Sequence, residues 1–369
     1  MRITVYCLFF CLILACSSSN EEQARANALV LSRTEDKLDV FKAFKDIDIV
    51  EFKNGPLIGV IKSVLYYDQY FYLLDAAQSD IKIYDKNFVY VRTVNHAGIG
   101  PGQYRKLSGA FVNERGLFIF SDLDMAIFRY SIYGEFIEKI VLSDYPFDIL
   151  PLDDRLIAYT NFNPALNDKY NLLSLSLDGS IRDKTQPYSV VLNSLIGYSG
   201  GIYHHLDNSS EFLFNPPWSD SVFVYDQDLK LKNLYIIDDL IKNKFDEGIY
   251  SGNFHNGLRN QYGHISSFSS KFDGLSWFTY KEPPYLKTGL MDWENSRYYE
   301  YEDIMEPQYL YFLSDLLTQD DNGYYYSKLS SFVPKDSEIV HSFANKIGFS
   351  SDKMGTEDFN FLVRYKVNK

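Results

Sequence analysis

The sequence predicts an all-β fold, a ring of small antiparallel sheets of the β-propeller kind. Three observations carry this. Short runs of β-forming residues recur along nearly the whole chain, separated by turn residues. Aromatic residues make up 17% of the chain, with Tyr 31 and Phe 28, and these side chains suit half-buried pleated surfaces. Long apolar stripes at helical spacing are scarce. A chain of 369 residues could hold two average domains, yet propellers often run this long as one.

Taken in order, the chain opens with MRITVYCLFFCLILAC. One early basic residue (Arg2) precedes an apolar run that is short for a membrane span and has the length of a secretory signal core. Leu12-Ile13-Leu14-Ala15-Cys16 resembles a bacterial lipobox, which implies cleavage after Ala15 and lipid on Cys16. Cys7 and Cys11 fall in the removed segment, so the mature chain is expected to hold no disulfide framework and no thiolate metal site. Ser17-Ser18-Ser19-Asn20-Glu21-Glu22 follows as a polar tether with acids near the cysteine. This resembles the export signal of surface lipoproteins of Bacteroidota. The expected organisation is therefore a signal peptide over 1–16, a tether and linker over 17–45, and a propeller over 46–369.

Self-similarity at a period of some tens of residues is the mark of a repeat fold. The phrase here is a β-run, a turn, a second run, a turn with Gly, Asp or Asn, and a third run. Residues 60–94 give VIKSVLYYD, YFYLLD, DIKIYD and FVYVRTV. Residues 96–140 give a glycine-rich crossing, HAGIGPGQY, then SGAFVNERG, LFIFSDLD, MAIFRYSIYGE and FIEKI. Worn versions continue to the C-terminus, the last beginning at YLYFLSDL and ending at FNFLVRYKV. Six blades of four antiparallel strands result. The last blade lacks an outer strand, and IDIVEF near residue 50 has no blade of its own. Joining the two closes the ring and leaves no exposed edge. In Leu117-Phe118-Ile119-Phe120 both faces are apolar, as expected of a strand sandwiched between neighbouring blades.

The segment G-x-G-P-G-Q-Y followed by GLFIFSD, MAIFRYS and YGEFIEKI is similar to the NHL repeat. More broadly, the chain resembles the six-bladed propeller lipoproteins of Bacteroidota. The resemblance implies that Gly98, Gly100, Pro101, Gly102, Gln103 and Tyr104 form an inter-blade crossing, and that Asp75 and Asp122 hold the family's blade aspartate. The crossing lacks the Lys-Ser/Thr of a phosphate-binding loop, so its glycines are read as structural.

The formal net charge of −13 argues against nucleic acid, which needs a basic groove. Links between first and second strands are short here. Links between second and third strands, and between blades, are long and fall together on the opposite face. Long loops are usually functional or disordered, so a ligand site is expected on that face. Asn161, Phe162, Trp218, Asp220, Lys281 and Tyr285 fall there, and flat aromatics beside amides and carboxylates suit a sugar ring or a peptide side chain. The competing reading is that they pack their own proline-rich loops. His204 and His205 alternate to opposite faces of one strand, and no metal or other cofactor is indicated.

Two function classes stay open. The preferred one is a non-catalytic ligand-binding or scaffolding lipoprotein of the outer membrane, periplasmic or at the cell surface. It would capture a glycan or peptide in service of an outer-membrane uptake complex. The other is a hydrolase or lyase with a metal or acid/base site at the central channel. Ionisable residues converging on the channel mouth would favour the second.

Overall fold

The structure, a computed structural model, describes residues 27–143, 146–152, 154–161, 163, 169–188, 201–204, 210–216, 219–238, 240, 264–282, 285–328, 338–350 and 361–368. At 204, 264, 266, 281 and 282 the backbone alone is described. Cys16, Phe162 and Trp218 lie outside the described residues.

The strands begin with β1 (Leu29–Arg33), β2 (Leu38–Asp39) and β3 (Phe44–Glu51). A first antiparallel sheet follows, of β4 (Ile61–Tyr67), β5 (Tyr70–Asp75), β6 (Asp80–Asp85) and β7 (Tyr90–Val94). A second contains β8 (Gly109–Asn113), β9 (Gly116–Ser121), β10 (Ala126–Tyr130) and β11 (Phe136–Val141). A third contains β12 (Asp148–Leu152), β13 (Arg155–Tyr159), β14 (Tyr170–Ser176) and β15 (Ile181–Pro187).

Next come β16 (Gly201–His204), β17 (Glu211–Asn215), β18 (Ser221–Asp226) and β19 (Leu231–Ile237), then β20 (His264–Phe268), β21 (Leu275–Glu282), β22 (Tyr285–Asp292) and β23 (Arg297–Tyr299). These two antiparallel groups join into a nine-stranded sheet because β1 lies between them, parallel to both β19 and β23. After β24 (Ile304–Met305), which pairs with β2, the last sheet holds β25 (Leu316–Gln319), β26 (Tyr325–Lys328) and β27 (Phe361–Val367). Its fourth strand is β3 from the N-terminal end, antiparallel to β27 with Val363 opposite Ile49.

The result is an all-β, propeller-like ring of four-stranded antiparallel sheets. Six apolar clusters among the described residues run round it, each shared by successive units. Alternation explains how one strand feeds two of them. Leu117 and Ile119 of β9 point to the first sheet, while Phe118 and Phe120 point to the third. The circuit closes where Val50, Tyr326 and Leu362 of the last sheet meet Phe71, Leu73 and Tyr84 of the first.

Two findings depart from the sequence reading. Residues 29–45, assigned above to the linker, carry β1, β2 and a short helix α1 (Val40–Ala43). Only Leu31 of β1 is buried, so the run shows no two-residue alternation long enough to notice. Arg33 secures it, with Nη1 2.8 Å from Glu300 and Nε 2.7 Å from Asp303. The start of YLYFLSDL is also not strand: Leu310–Leu313 form a helical turn, α2, before β25. Its Phe312 stacks at 4.0 Å on Phe343 of α3 (Glu338–Lys346), a packing partner that outweighs local β propensity.

The crossing from β7 to β8 folds on itself. The Gly98 amide donates to the Tyr104 carbonyl at 2.9 Å, and the Gly100 amide to Gln103 Oε1 at 2.7 Å. Tyr104 donates to the Ser79 carbonyl, and Tyr130 to the Gly102 carbonyl. Gly102 has φ +71°, and a Cβ there would meet the Phe136 ring at 2.6 Å. Both facts exclude larger residues.

Candidate functional site

The first strand of each antiparallel group runs beside the ring axis. Around that axis β25 neighbours β4, β4 neighbours β8, and the series continues through β12 and β16 to β20. They enclose a cavity of about 900 Å³, lined by residues of all six.

In an antiparallel meander every first strand starts at the face of the long connections, and every second strand ends there. Polar residues at those strand ends therefore gather at one mouth of the channel. Lys62 and Asp148 stand at the starts of β4 and β12, Ser108 just before β8, and Asp315 just before β25. Asp122 follows β9, and Lys328 ends β26.

Two pairs in this cluster are formed within it. Lys106 Nζ lies 2.6 Å from Asp122 Oδ2, and Ser108 Oγ donates to Asp122 Oδ1 at 2.6 Å. Burial pushes the Asp122 carboxyl up, but Lys106 and Ser108 outweigh it and hold it below the usual carboxylate range. Lys328 Nζ lies 3.5 Å from Asp315 Oδ2 and donates to the Ile61 carbonyl at 3.1 Å. Burial still wins at Asp315, whose carboxyl is pushed up despite Lys328.

Lys62 and Asp148 differ. Lys62 Nζ donates to the Ser108 carbonyl, and Asp148 Oδ1 accepts the neighbouring Ile149 amide at 2.9 Å. Among the described residues neither has an ion-pair partner within 4 Å. Both side chains are exposed to the channel, whose walls crowd them. Burial therefore lowers the Lys62 amine, with Asp148 opposing the shift and Lys106 adding to it. Burial raises the Asp148 carboxyl against the Ile149 amide and Lys62. An amine and a carboxyl, each displaced away from its charged form, thus share the channel mouth. Such groups mark binding or proton-transfer sites.

Of the site residues expected from sequence, four are described, and they stand at three separate connections between a second and a third strand. Asn161, just past β13, is 5% exposed and accepts from the Tyr159 hydroxyl at 3.0 Å. Tyr159 stands opposite Asp148 in the β12–β13 register. Asp220 accepts from the Ser221 hydroxyl at the β17–β18 connection. Lys281 is near the end of β21, and Tyr285, 67% exposed, opens β22. Asp75, one of the blade aspartates, is locked in a buried ion pair with Lys82. Trp277 and Trp293 pack between sheets.

Sequence reasoning missed Lys62, Asp148 and Asp315. Their signal was present but faint: a charged residue at the opening of an otherwise apolar first strand, as in VIKSVLYYD and FDILPLDD. Among the described residues no group of three or more His, Cys, Asp or Glu could hold a metal ion.

Comparison with known proteins supports the fold. A solved protein of Bacteroides fragilis, named for an inferred export, shares 14% identity; the match covers 93% of this chain and 100% of that one with a TM-score of 0.70. A member of the DUF4221 family from Bacteroides vulgatus shares 10% identity over 88% of this chain and 98% of that one, with a TM-score of 0.52. At such identities the likeness speaks for the fold alone. No curated protein matches the sequence. The family model described as "Domain of unknown function (DUF4934)" matches residues 30–362, from β1 into β27, and the chain therefore belongs to the DUF4934 family.

Proposed function

We propose that the chain is an exported lipoprotein whose propeller binds a glycan or peptide ligand at the long-connection mouth of its axial channel. The observation that carries this is the cavity of about 900 Å³ with Lys62 and Asp148 at its entrance, without ion-pair partners among the described residues. Cavities of this size, mostly apolar with a few convergent polar groups, suit small ligands.

The finer architecture belongs to the same reading. The nine-stranded sheet counts as two blades bridged by β1, which with the four four-stranded sheets gives six, and β3 completes the last. The NHL-like crossing supports that count. The lipobox at Cys16 and the acids after it support an anchor in the outer membrane, with the propeller over 46–369 extended to include β1 and β2. A partner uptake complex would supply or receive the ligand.

A second reading draws on the same pair. A carboxyl raised and an amine lowered by burial, converging with other ionisable groups on the channel mouth, are the feature named above as favouring proton transfer, so a hydrolase or lyase acting in the channel remains the alternative. Turnover of a bound ligand distinguishes the two.

The test is a glycan and peptide binding screen on the mature chain, with hydrogen exchange of each hit. Slowed exchange in β4 and β12 is expected. Protection confined to the β21–β22 hairpin around Tyr285 would place the site off the axis and overturn the proposal.

A further inference from the structure

The channel mouth also indicates what kind of ligand fits, an inference that rests on the binding reading above. Four charged side chains there already meet an opposite charge: Lys106 with Asp122 at 2.6 Å, and Lys328 with Asp315 at 3.5 Å. Lys62 and Asp148 line the same cavity with solvent-exposed side chains, and among the described residues neither meets an opposite charge within 4 Å. A ligand that brings an opposite charge to each gains charge-assisted hydrogen bonds in a channel that shields them from bulk water.

The geometry points to a zwitterion, a ligand carrying a carboxylate for Lys62 and an ammonium for Asp148, of the free amino acid or short peptide class. Lys62 has three donors, of which the Ser108 carbonyl uses one. Asp148 Oδ1 holds the Ile149 amide, which leaves Oδ2 open. Tyr203 and Phe268 line the same cavity with their rings edge to face at 5.8 Å, an apolar surface for a side chain. A neutral sugar offers hydroxyls to both groups but no opposite charge to either. An anion alone would satisfy Lys62 and repel Asp148.

Isothermal titration of the full mature lipoprotein in detergent tests this. The probes are L-leucine, L-alanyl-L-leucine, their N-acetyl and methyl ester derivatives, and maltose. A free zwitterion is expected to bind, with each cap weakening affinity roughly 10- to 100-fold; leucine against the dipeptide separates the two sources. Lys62→Met should erase the difference between free acid and ester, and Asp148→Asn the difference between free amine and N-acetyl derivative. A merely structural role for either residue would not produce that cross-matching.

Capped and free ligands binding alike, or no zwitterion binding at all, would overturn the inference. If maltose then bound and protected β4 and β12 from exchange, the channel reading would stand without it. Undiminished binding of the zwitterions to both variants would overturn both.

Discussion

Lys82→Met probes how the ring is held at the first sheet. Lys82 is 1% exposed, between Asp75 at 0% and Asp80 at 5%, with Nζ 2.9 Å from the first and 2.6 Å from the second. Methionine keeps the length and removes the charge. Asp75 would retain four backbone donors, from Gly59, Val60, Ala77 and Gln78 at 2.7, 3.1, 3.0 and 3.3 Å. Asp80 would lose its side-chain partner, so the cost falls there. Removing one member of a buried ion pair costs about 3–5 kcal/mol. With a urea m-value of roughly 4 kcal/mol per molar, reasonable for a chain this long, the midpoint should fall by about 1 M. Adding Asp80→Asn should return about 1–3 kcal/mol, since the orphaned charge is gone. A loss under about 1 kcal/mol, or no recovery in the double variant, would refute the reasoning.

Other expectations follow from the same contacts. Asp148→Asn should stabilise the protein at pH 7: the folded carboxyl is raised, so the native state binds more protons than the unfolded one between the two pKa values. The penalty therefore grows as pH rises through that window, and the gain should vanish below about pH 4 in urea titrations. Asp75 has the opposite sign. Burial pushes it up, but the Gly59 amide, Lys82 and the Val60 amide hold it below the usual range, so its contribution is present above about pH 4 and lost in acid as pH falls through the depressed value. Gly102→Ala should cost about 1–3 kcal/mol through positive φ and the Phe136 clash, more than Gly323→Ala, where the nearest neighbour is 4.0 Å away. Arg33→Met should remove one partner each from Glu300 and Asp303 and speed amide exchange in Leu29–Arg33 ahead of the other strands.

Much of the architecture was legible because alternation is a local property. Leu117 to Phe120 announce a strand buried on both faces, and the turn residues around them announce its neighbours. The closing role of β3 was readable too, from a missing strand at one end and a surplus one at the other. β1 was not, since a five-residue strand with parallel partners on both sides has no hairpin turn beside it, and one buried leucine makes no pattern. α2 was misread because Leu310 to Leu313 are good β-formers. Their helical state depends on Phe343, far along the chain. The site was least legible of all. Lys62 and Asp148 come from different sheets, and only closure of the ring brings them to one mouth.

The most direct test of the channel account is the acylation rate of the Lys62 amine, followed by mass spectrometry across pH with and without bound ligand. The account expects Lys62 to become reactive at lower pH than the surface lysines and to be shielded once ligand binds. Reactivity that follows the surface lysines and ignores the ligand would contradict it.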